Sequence, residues 1–451
     1  MEQNRSKFSN KLGFVLAAAG SAVGLGNIWR FPYLAAKYGG GAFLLTYLIL
    51  VVTVGFTLMV TEIAIGRKTG LSPYGAYRSL NKKSGIIGVL SFIVPFLIVP
   101  YYCVIGGWVL KYLAAFLTGG GSAAAAEGFF SAYIAQPVEP IVWQAIFVVA
   151  AALVVVLGVK NGIEKISRIL MPVLVLLALG IAVYTMFLPG AIEGIKYYLI
   201  PDFSTFSVQT VLAALGQMFY SMSLAMGIMI TYGSYLKKEE DLEKSVRHVE
   251  LFDTGVAFLA GLMIVPAVFV FKGGDQAALS QGPGLMFATL PSVFDSMPMG
   301  QVIGVLFFLL VLFAALTSAI SLLETVVATV CDHFHFERKR ATLVMALVVI
   351  LVGIPSSLGN GVWAGFTILG MDFLTFMDFI TNSVLMPITA LLTCVFVAYV
   401  LKPKSVIEEV KRSSAFKHEK LYVFVLKYLA PIAILAILIS SVLNSFGVIK
   451  L

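Results

Sequence analysis

The chain has 451 residues, of which 59% are hydrophobic and 12% charged, with a mean hydropathy of +0.96 and a net charge of +8. Soluble globules carry about 25% charged residues, so this composition excludes one. The excess positive charge sits in short loops between long apolar runs, which points to membrane orientation rather than to nucleic acid.

In chain order, apolar runs long enough to cross ~30 Å of hydrocarbon place spans at 12–37, 41–65, 86–117, 141–158, 166–188, 208–235, 247–271, 300–331, 341–357, 367–400 and 421–446. The expected fold is an all-α polytopic membrane protein, residues 1–451 forming one domain with eleven transmembrane helices. The opening "MEQNRSKFSNKLG" lacks the pattern of a cleaved leader and is expected to be mature sequence. Alternate connections hold Arg5, Lys7 and Lys11; Arg67, Lys68, Arg78, Lys82 and Lys83; Lys160, Lys165 and Arg168. They continue with Lys237, Lys238, Lys244 and Arg247; Arg338, Lys339 and Arg340; and Lys402, Lys404, Lys411, Arg412, Lys417 and Lys420. Together these are 24 of the 31 basic residues, whereas 118–140 and 358–366 hold none. That alternation implies a multi-pass protein of the inner (plasma) membrane, with a cytoplasmic N-terminus and, for an odd count, a C-terminus outside. The 272–299 connection, with "GGDQAALSQGPG", is expected to form a short re-entrant or surface hairpin.

Two spans are interrupted. Helix 1 contains "AAAGSAVGLGNIWRFPY", with Gly20, Gly24, Gly26, Asn27 and Arg30; helix 6 carries Gln217, Ser221, Ser223 and Gly227. They open successive five-helix sets, 12–188 and 208–400, with 421–446 as an additional eleventh helix. Five is odd, so the sets run with opposite orientation, and paired interruptions in inverted halves point to a binding site at the midplane. Unwound backbone cannot face lipid, where its polar groups would go unpaired; freed carbonyls suit a cation and half-helix N-termini an anion.

Few polar groups share that depth. Helix 8 brings Thr317, Ser318 and Ser321, whose hydroxyls either bond back to their own helix or face the break. Asp253 is expected about a turn and a half inside helix 7. Glu62 and Glu324 are intramembrane acids, each functional or partnered. Tyr101 and Tyr102 follow on helix 3, one able to roof a pocket and the other packing. Cys103, Cys331 and Cys394 are too scattered for a disulfide framework. No intramembrane His or nucleophile–base set suggests an enzyme.

"GSAVGLGNIWRFPY", "GGGAFLLTYLI", "TEIAIGR", "GQMFYSMSLAMG…TYGSYL" and "FAALTSAIS" resemble the sodium-coupled neurotransmitter transporters, in their bacterial amino acid branch. The resemblance implies an inverted repeat with discontinuous helices 1 and 6. It implies sodium-coupled import of a neutral α-amino acid by alternating access. Another small zwitterion, an amine, or channel activity are the alternatives. It further implies two Na⁺ sites, one from Ala22, Asn27, Ser221 and Asp253, the other from Gly20, Val23, Ala314, Thr317 and Ser318. Asp253 replaces an Asn common among relatives, implying chloride independence. The implied substrate pocket has a polar end at Ser21, Ala22, Leu25, Gly26, Tyr102, Ser221 and Ser318, and a side-chain end at Ile98, Tyr220, Ser223, Met226 and Leu322. Gly24 stands where amine carriers have Asp, which favours an amino acid. Gates are implied at Arg30, ~28 Å along the helix from Lys11, with Asp378 and Gln217, and at Arg5 with Asp332 near Tyr235; Glu62 is grouped with them. Implied partners are the amino acid and membrane lipid, with a monomer or weak homodimer as the assembly and no nucleic acid.

Overall fold

The computed structural model describes residues 6–271 and 284–446, the side chain of Thr205 excepted. Among these, nine helices are long and apolar enough to cross a bilayer. Helices 2 to 5 are Gly41–Thr69, Lys82–Leu117, Glu139–Val156 and Val159–Met186. Helices 7 to 11 are Leu242–Phe271, Gly300–Phe334, Arg338–Leu358, Phe373–Leu401 and Glu419–Ser445. Helix 1 is a pair, Lys11–Ala22 and Gly26–Lys37, bent by 55° at the break. Helix 6 is divided into Val208–Ser221 and Ile228–Tyr235, each too short to span alone. The fold is all-α, with ten spans among the described residues when the bent pair of helix 1 counts as one. Extended pairing among the described residues is limited to isolated bridges, Gly40 with Pro201 and Ile368 with Met371.

Capping residues move several boundaries from their expected places. Asp241 accepts the Lys244 N–H at 3.0 Å, so helix 7 starts at Leu242 rather than 247. Asp253 consequently lies about three turns inside the helix, not a turn and a half. Asp372 accepts the Thr375 N–H at 3.0 Å and begins helix 10 at Phe373 rather than 367. Residues 272–283, where a hairpin was expected, lie outside the described residues. The following stretch, expected as loop, is helical over Leu285–Thr289 and Leu290–Ser296.

Burial explains why the broken helices sit centrally. Every residue from Gly13 to Ala22 is buried, and this half-helix packs against helices 5, 7 and 8. Helix 8 buries 67% of its most apolar window, whereas helices 5 and 11 bury 33% and form the periphery. The second half of helix 6 lies directly on helix 2. A Cβ on Gly66 would stand 1.9 Å from the Ile230 carbonyl, and one on Gly233 would stand 2.4 Å from the Ile63 carbonyl. Small residues allow such backbone approach in membranes. Both breaks are thereby held inside the bundle, away from lipid. The end bearing the basic loops is called the inner end below.

Candidate functional site

Helix 1 stops because Val23 turns to φ −72°, ψ 97°, while its N–H still reaches the Ala19 carbonyl at 2.7 Å. Asn27 then closes the gap. Its Oδ1 accepts the Gly24 N–H at 3.1 Å, and its Nδ2 donates to the Asp253 carbonyl at 3.1 Å and to Asp253 Oδ1 at 2.6 Å. Helix 6 breaks over 222–227, where Ser223, Ala225 and Gly227 take φ of +52°, +59° and +69°. Such a left-handed conformation costs a non-glycine residue roughly 1–2 kcal/mol. Gly227 also has no room for a side chain, since a Cβ there would stand 2.6 Å from both Pro73 Cγ and the Ser91 carbonyl.

The two breaks touch. Ser223 Oγ donates to the Ser21 carbonyl at 3.0 Å, and Ser318 Oγ from helix 8 donates to the same oxygen at 3.0 Å. Between them lies a narrow cavity of about 30 Å³. Its wall includes Ser21, Ala22, Leu25, Gly26, Ile98, Tyr102, Tyr220, Ser221, Ser223, Met226, Ser318 and Leu322, together with Gly24, Asn27 and Ile228. The lining combines hydroxyls and bare peptide groups with the aliphatic side chains of Ile98, Met226, Ile228 and Leu322. Gly24 lets Ser318 and Tyr102 close on the backbone of the break. A Cβ there would lie 2.6 Å from Ser318 Oγ and 3.2 Å from the Tyr102 hydroxyl.

Oxygen atoms gather at two places on the break of helix 1. At the first, fully buried Asp253 accepts from Asn27, from Ser221 Oγ at 2.8 Å and 3.0 Å, and from the Tyr47 hydroxyl at 3.2 Å. Tyr47 also donates to Ser221 Oγ at 3.2 Å. Sequence reasoning missed Tyr47, because an aromatic residue in an apolar helix reads as packing. At the second, Ser318 Oγ reaches the Val23 carbonyl at 3.4 Å, and a Cβ on Gly20 would stand 3.3 Å from Thr317 Cβ. The Thr317 hydroxyl points back to the Phe313 and Ala314 carbonyls at 2.9 Å and 3.1 Å. All-oxygen donor sets with at most one carboxylate suit a hard monovalent cation. Among the described residues no group of three His, Cys, Asp or Glu suits another metal.

Other residues separate from their expected roles. Glu62 stands at neither end; its Oε1 accepts the Ala225 N–H at 2.7 Å, inside the break of helix 6. Toward the outer end, no ion pair joins Arg30 to Asp378 among the described residues. The Arg30 guanidinium lies 5.2 Å over the Tyr220 ring. Asp378 accepts from Asn382 at 2.6 Å and from Tyr101 at 3.3 Å, so Tyr101 is more than packing. Gln217 Nε2 donates to the Gly26 carbonyl at 2.9 Å. At the inner end Arg5 lies outside the described residues. Asp332 accepts the Ser72 N–H at 2.9 Å. Tyr235 donates to Glu324 at 2.7 Å, and Glu324 pairs with Arg338, a residue read as an ordinary loop charge.

These features can be compared with known proteins. Residues 5–122 and 134–448 match the sodium:neurotransmitter symporter family. The chain belongs to this family. It is 36% identical over 456 residues to the sodium-dependent transporter YhdH of Bacillus subtilis (strain 168), covering 100% of this chain and 99% of that one. The sodium- and chloride-dependent glycine transporter 2 of Xenopus laevis is 25% identical over 509 residues, covering 95% of this chain and 63% of that protein. The crystal structure of MhsT in complex with L-phenylalanine superposes with a TM-score of 0.88 at 40% identity, covering 97% of this chain and all of MhsT's. As a symporter family member the chain is a sodium-coupled, multi-pass membrane transporter and not an enzyme.

Proposed function

We propose that the chain carries a neutral, hydrophobic α-amino acid inward together with Na⁺, without chloride. The carrying observation is the cavity shared by the two breaks, whose lining combines bare peptide groups, hydroxyls and aliphatic side chains. The substrate carboxylate lies beside Gly24, where an acidic side chain would compete with it, near Tyr102 and the Leu25 N–H, and its ammonium meets freed carbonyls of both broken helices. The side chain lies against the aliphatic residues. The complex of MhsT with L-phenylalanine supports this class of ligand.

One Na⁺ sits with Ala22, Asn27, Ser221 and Asp253, where the carboxylate supplies fixed negative charge in place of chloride. The other sits with Gly20, Val23, Ala314, Thr317 and Ser318. The ion supplies charge neutralisation when bound, and this chain's residues do the rest. Asn27 and Asp253 tie helix 7 to the break, while Ser318 ties helix 8 to it. Helices 1–5 and 6–10 act as inverted halves, with Arg30, Gln217 and Asp378 at the outer end and Arg5, Asp332 and Tyr235 at the cytoplasmic one. Screening the twenty amino acids by scintillation proximity, in sodium and in potassium, tests this reading. Saturable binding of aliphatic or aromatic amino acids in sodium alone is expected. Binding of amines instead, or indifference to the cation, overturns it.

A further inference from the structure

A groove of about 260 Å³ away from the transport cavity runs between helices 3 and 8 near the inner end. Val89 and Phe92 of helix 3 face Val330 and Phe334 of helix 8 across it. Thr329 also lines it, but its hydroxyl is turned back onto the Thr325 carbonyl at 2.8 Å, so the floor offers no free polar group. Both walls belong to helices long and apolar enough to cross a membrane, and the groove lies at their inner ends, where a leaflet's lipids can reach it. The fitting occupant is a hydrocarbon chain.

The rim has the opposite character. Tyr74 and His333 meet edge to face with their ring centroids 4.8 Å apart. Arg78 Nη1 donates to the Tyr74 hydroxyl at 2.6 Å, and its guanidinium lies 5.6 Å from the same ring. The stem of Arg78 passes over Gly85, at the start of helix 3. Arg78 is exposed, and among the described residues no carboxylate forms an ion pair with it. Most of its five N–H donors remain available. Lys82 and Lys83, both exposed, stand on the turn that enters helix 3. A cationic rim over an apolar groove at the membrane surface is the arrangement that holds an acidic lipid headgroup.

We infer that this groove binds an anionic phospholipid of the inner leaflet, with an acyl chain between helices 3 and 8 and the phosphate on Arg78. The site borders the break of helix 6. Pro73, beside Tyr74, is the residue pressed against Gly227 at the break of helix 6. Asp332, beside His333, accepts the Ser72 N–H. A lipid wedged there holds the short helix Pro73–Leu80 to the end of helix 8 and favours a closed inner end.

The test uses the full chain purified in detergent, with thermal melting and native mass spectrometry. The probes are phosphatidylglycerol, phosphatidylcholine with the same acyl chains, and glycerol 3-phosphate as the headgroup alone. Phosphatidylglycerol is expected to be retained and to raise the melting temperature by a few degrees, while the other two do neither. Arg78→Gln weakens the phosphatidylglycerol effect roughly fivefold. Val89→Trp, which fills the groove but keeps the charges, abolishes it and leaves melting in phosphatidylcholine unchanged; Lys404→Gln, an exposed charge elsewhere, leaves the lipid effect intact. Equal stabilisation by phosphatidylcholine or by glycerol 3-phosphate, or retention of phosphatidylglycerol by Val89→Trp, overturns the inference.

Discussion

Glu62 of helix 2 accepts the backbone N–H of Ala225, in the broken part of helix 6, at 2.7 Å. An acid in the middle of an apolar span thus satisfies a peptide donor that the break releases. Leaving such a buried group unpaired costs about 1–3 kcal/mol. Glu62→Ala is therefore expected to lower the melting temperature clearly, and Glu62→Gln, which keeps an acceptor oxygen, to lower it less. Equal losses in thermal-shift measurements would contradict the assigned contact.

Ala225 itself sits at φ +59°. Ala225→Gly relieves ~1–2 kcal/mol of left-handed strain against ~0.5–1 kcal/mol of extra unfolded-chain entropy. Its melting temperature stays level or rises slightly. Ala225→Val puts a β-branched residue in the same backbone and is expected to melt well below the parent. A stabilised Val variant would show that the break is not held in this conformation.

Gly24→Asp would drive a side chain into Ser318 Oγ and the Tyr102 hydroxyl, 2.6 Å and 3.2 Å from the new Cβ. It also places a carboxylate where the substrate's own is proposed to lie. Amino acid binding is expected to fall at least a hundredfold while the protein remains folded, as read by scintillation proximity alongside melting. Retained amino acid affinity would place the substrate elsewhere.

Much of this arrangement is legible in sequence because its signals are rare in membranes. Glycine density from Gly20 to Gly26, followed by Asn27, marks a helix that cannot continue, and Ser221, Ser223 and Gly227 mark its counterpart. Other parts gave no such signal. Tyr47 looks like any buried aromatic, yet it bonds both Asp253 and Ser221. Arg338 reads as one of three loop cations, and only the fold shows its guanidinium on Glu324 and on the Val155 carbonyl. Two acids near the start of helix 10 differ only in register. Asp372 caps the helix, while Asp378, a turn and a half later, faces Tyr101 and Asn382.

Asp253 is the carboxylate of the Asn27–Ser221 cluster, and Tyr47 donates one of its hydrogen bonds. If it takes the place of chloride as proposed, Asp253→Asn weakens sodium-dependent binding at least tenfold and makes it respond to chloride, while binding to the parent is expected not to. Tyr47→Phe removes a hydrogen bond to a charged group, about 1.5–3 kcal/mol, and should shift the sodium dependence the same way without introducing chloride dependence. Titrating sodium at fixed ligand, with chloride or gluconate as anion, separates these outcomes. A parent protein stimulated by chloride would refute the role given to Asp253.

Arg67 is buried at the inner end of helix 2, with Nε 2.9 Å from Glu409 and Nη1 2.8 Å from the Glu240 carbonyl. It joins the connection between helices 6 and 7 to the short helix Pro403–Lys411. Arg67→Leu leaves the buried Glu409 carboxylate only its half-exposed partner Arg412, 3.3 Å away, and is expected to lower the melting temperature clearly. Arg67→Leu with Glu409→Leu should recover much of that loss in thermal melting. If the double variant is no more stable than the single one, the pair is not the clamp described.

The central claim is that Na⁺ and a zwitterion share the space between the two breaks, and their coupling is the direct measurement. Binding of the labelled amino acid that binds tightest among the twenty, across a sodium series, paired with sodium affinity measured with and without it, should show each ligand raising the other's affinity by the same factor. Asn27→Ala should abolish that coupling. Amino acid binding that is equal in sodium and potassium, or coupling that persists in Asn27→Ala, would contradict it.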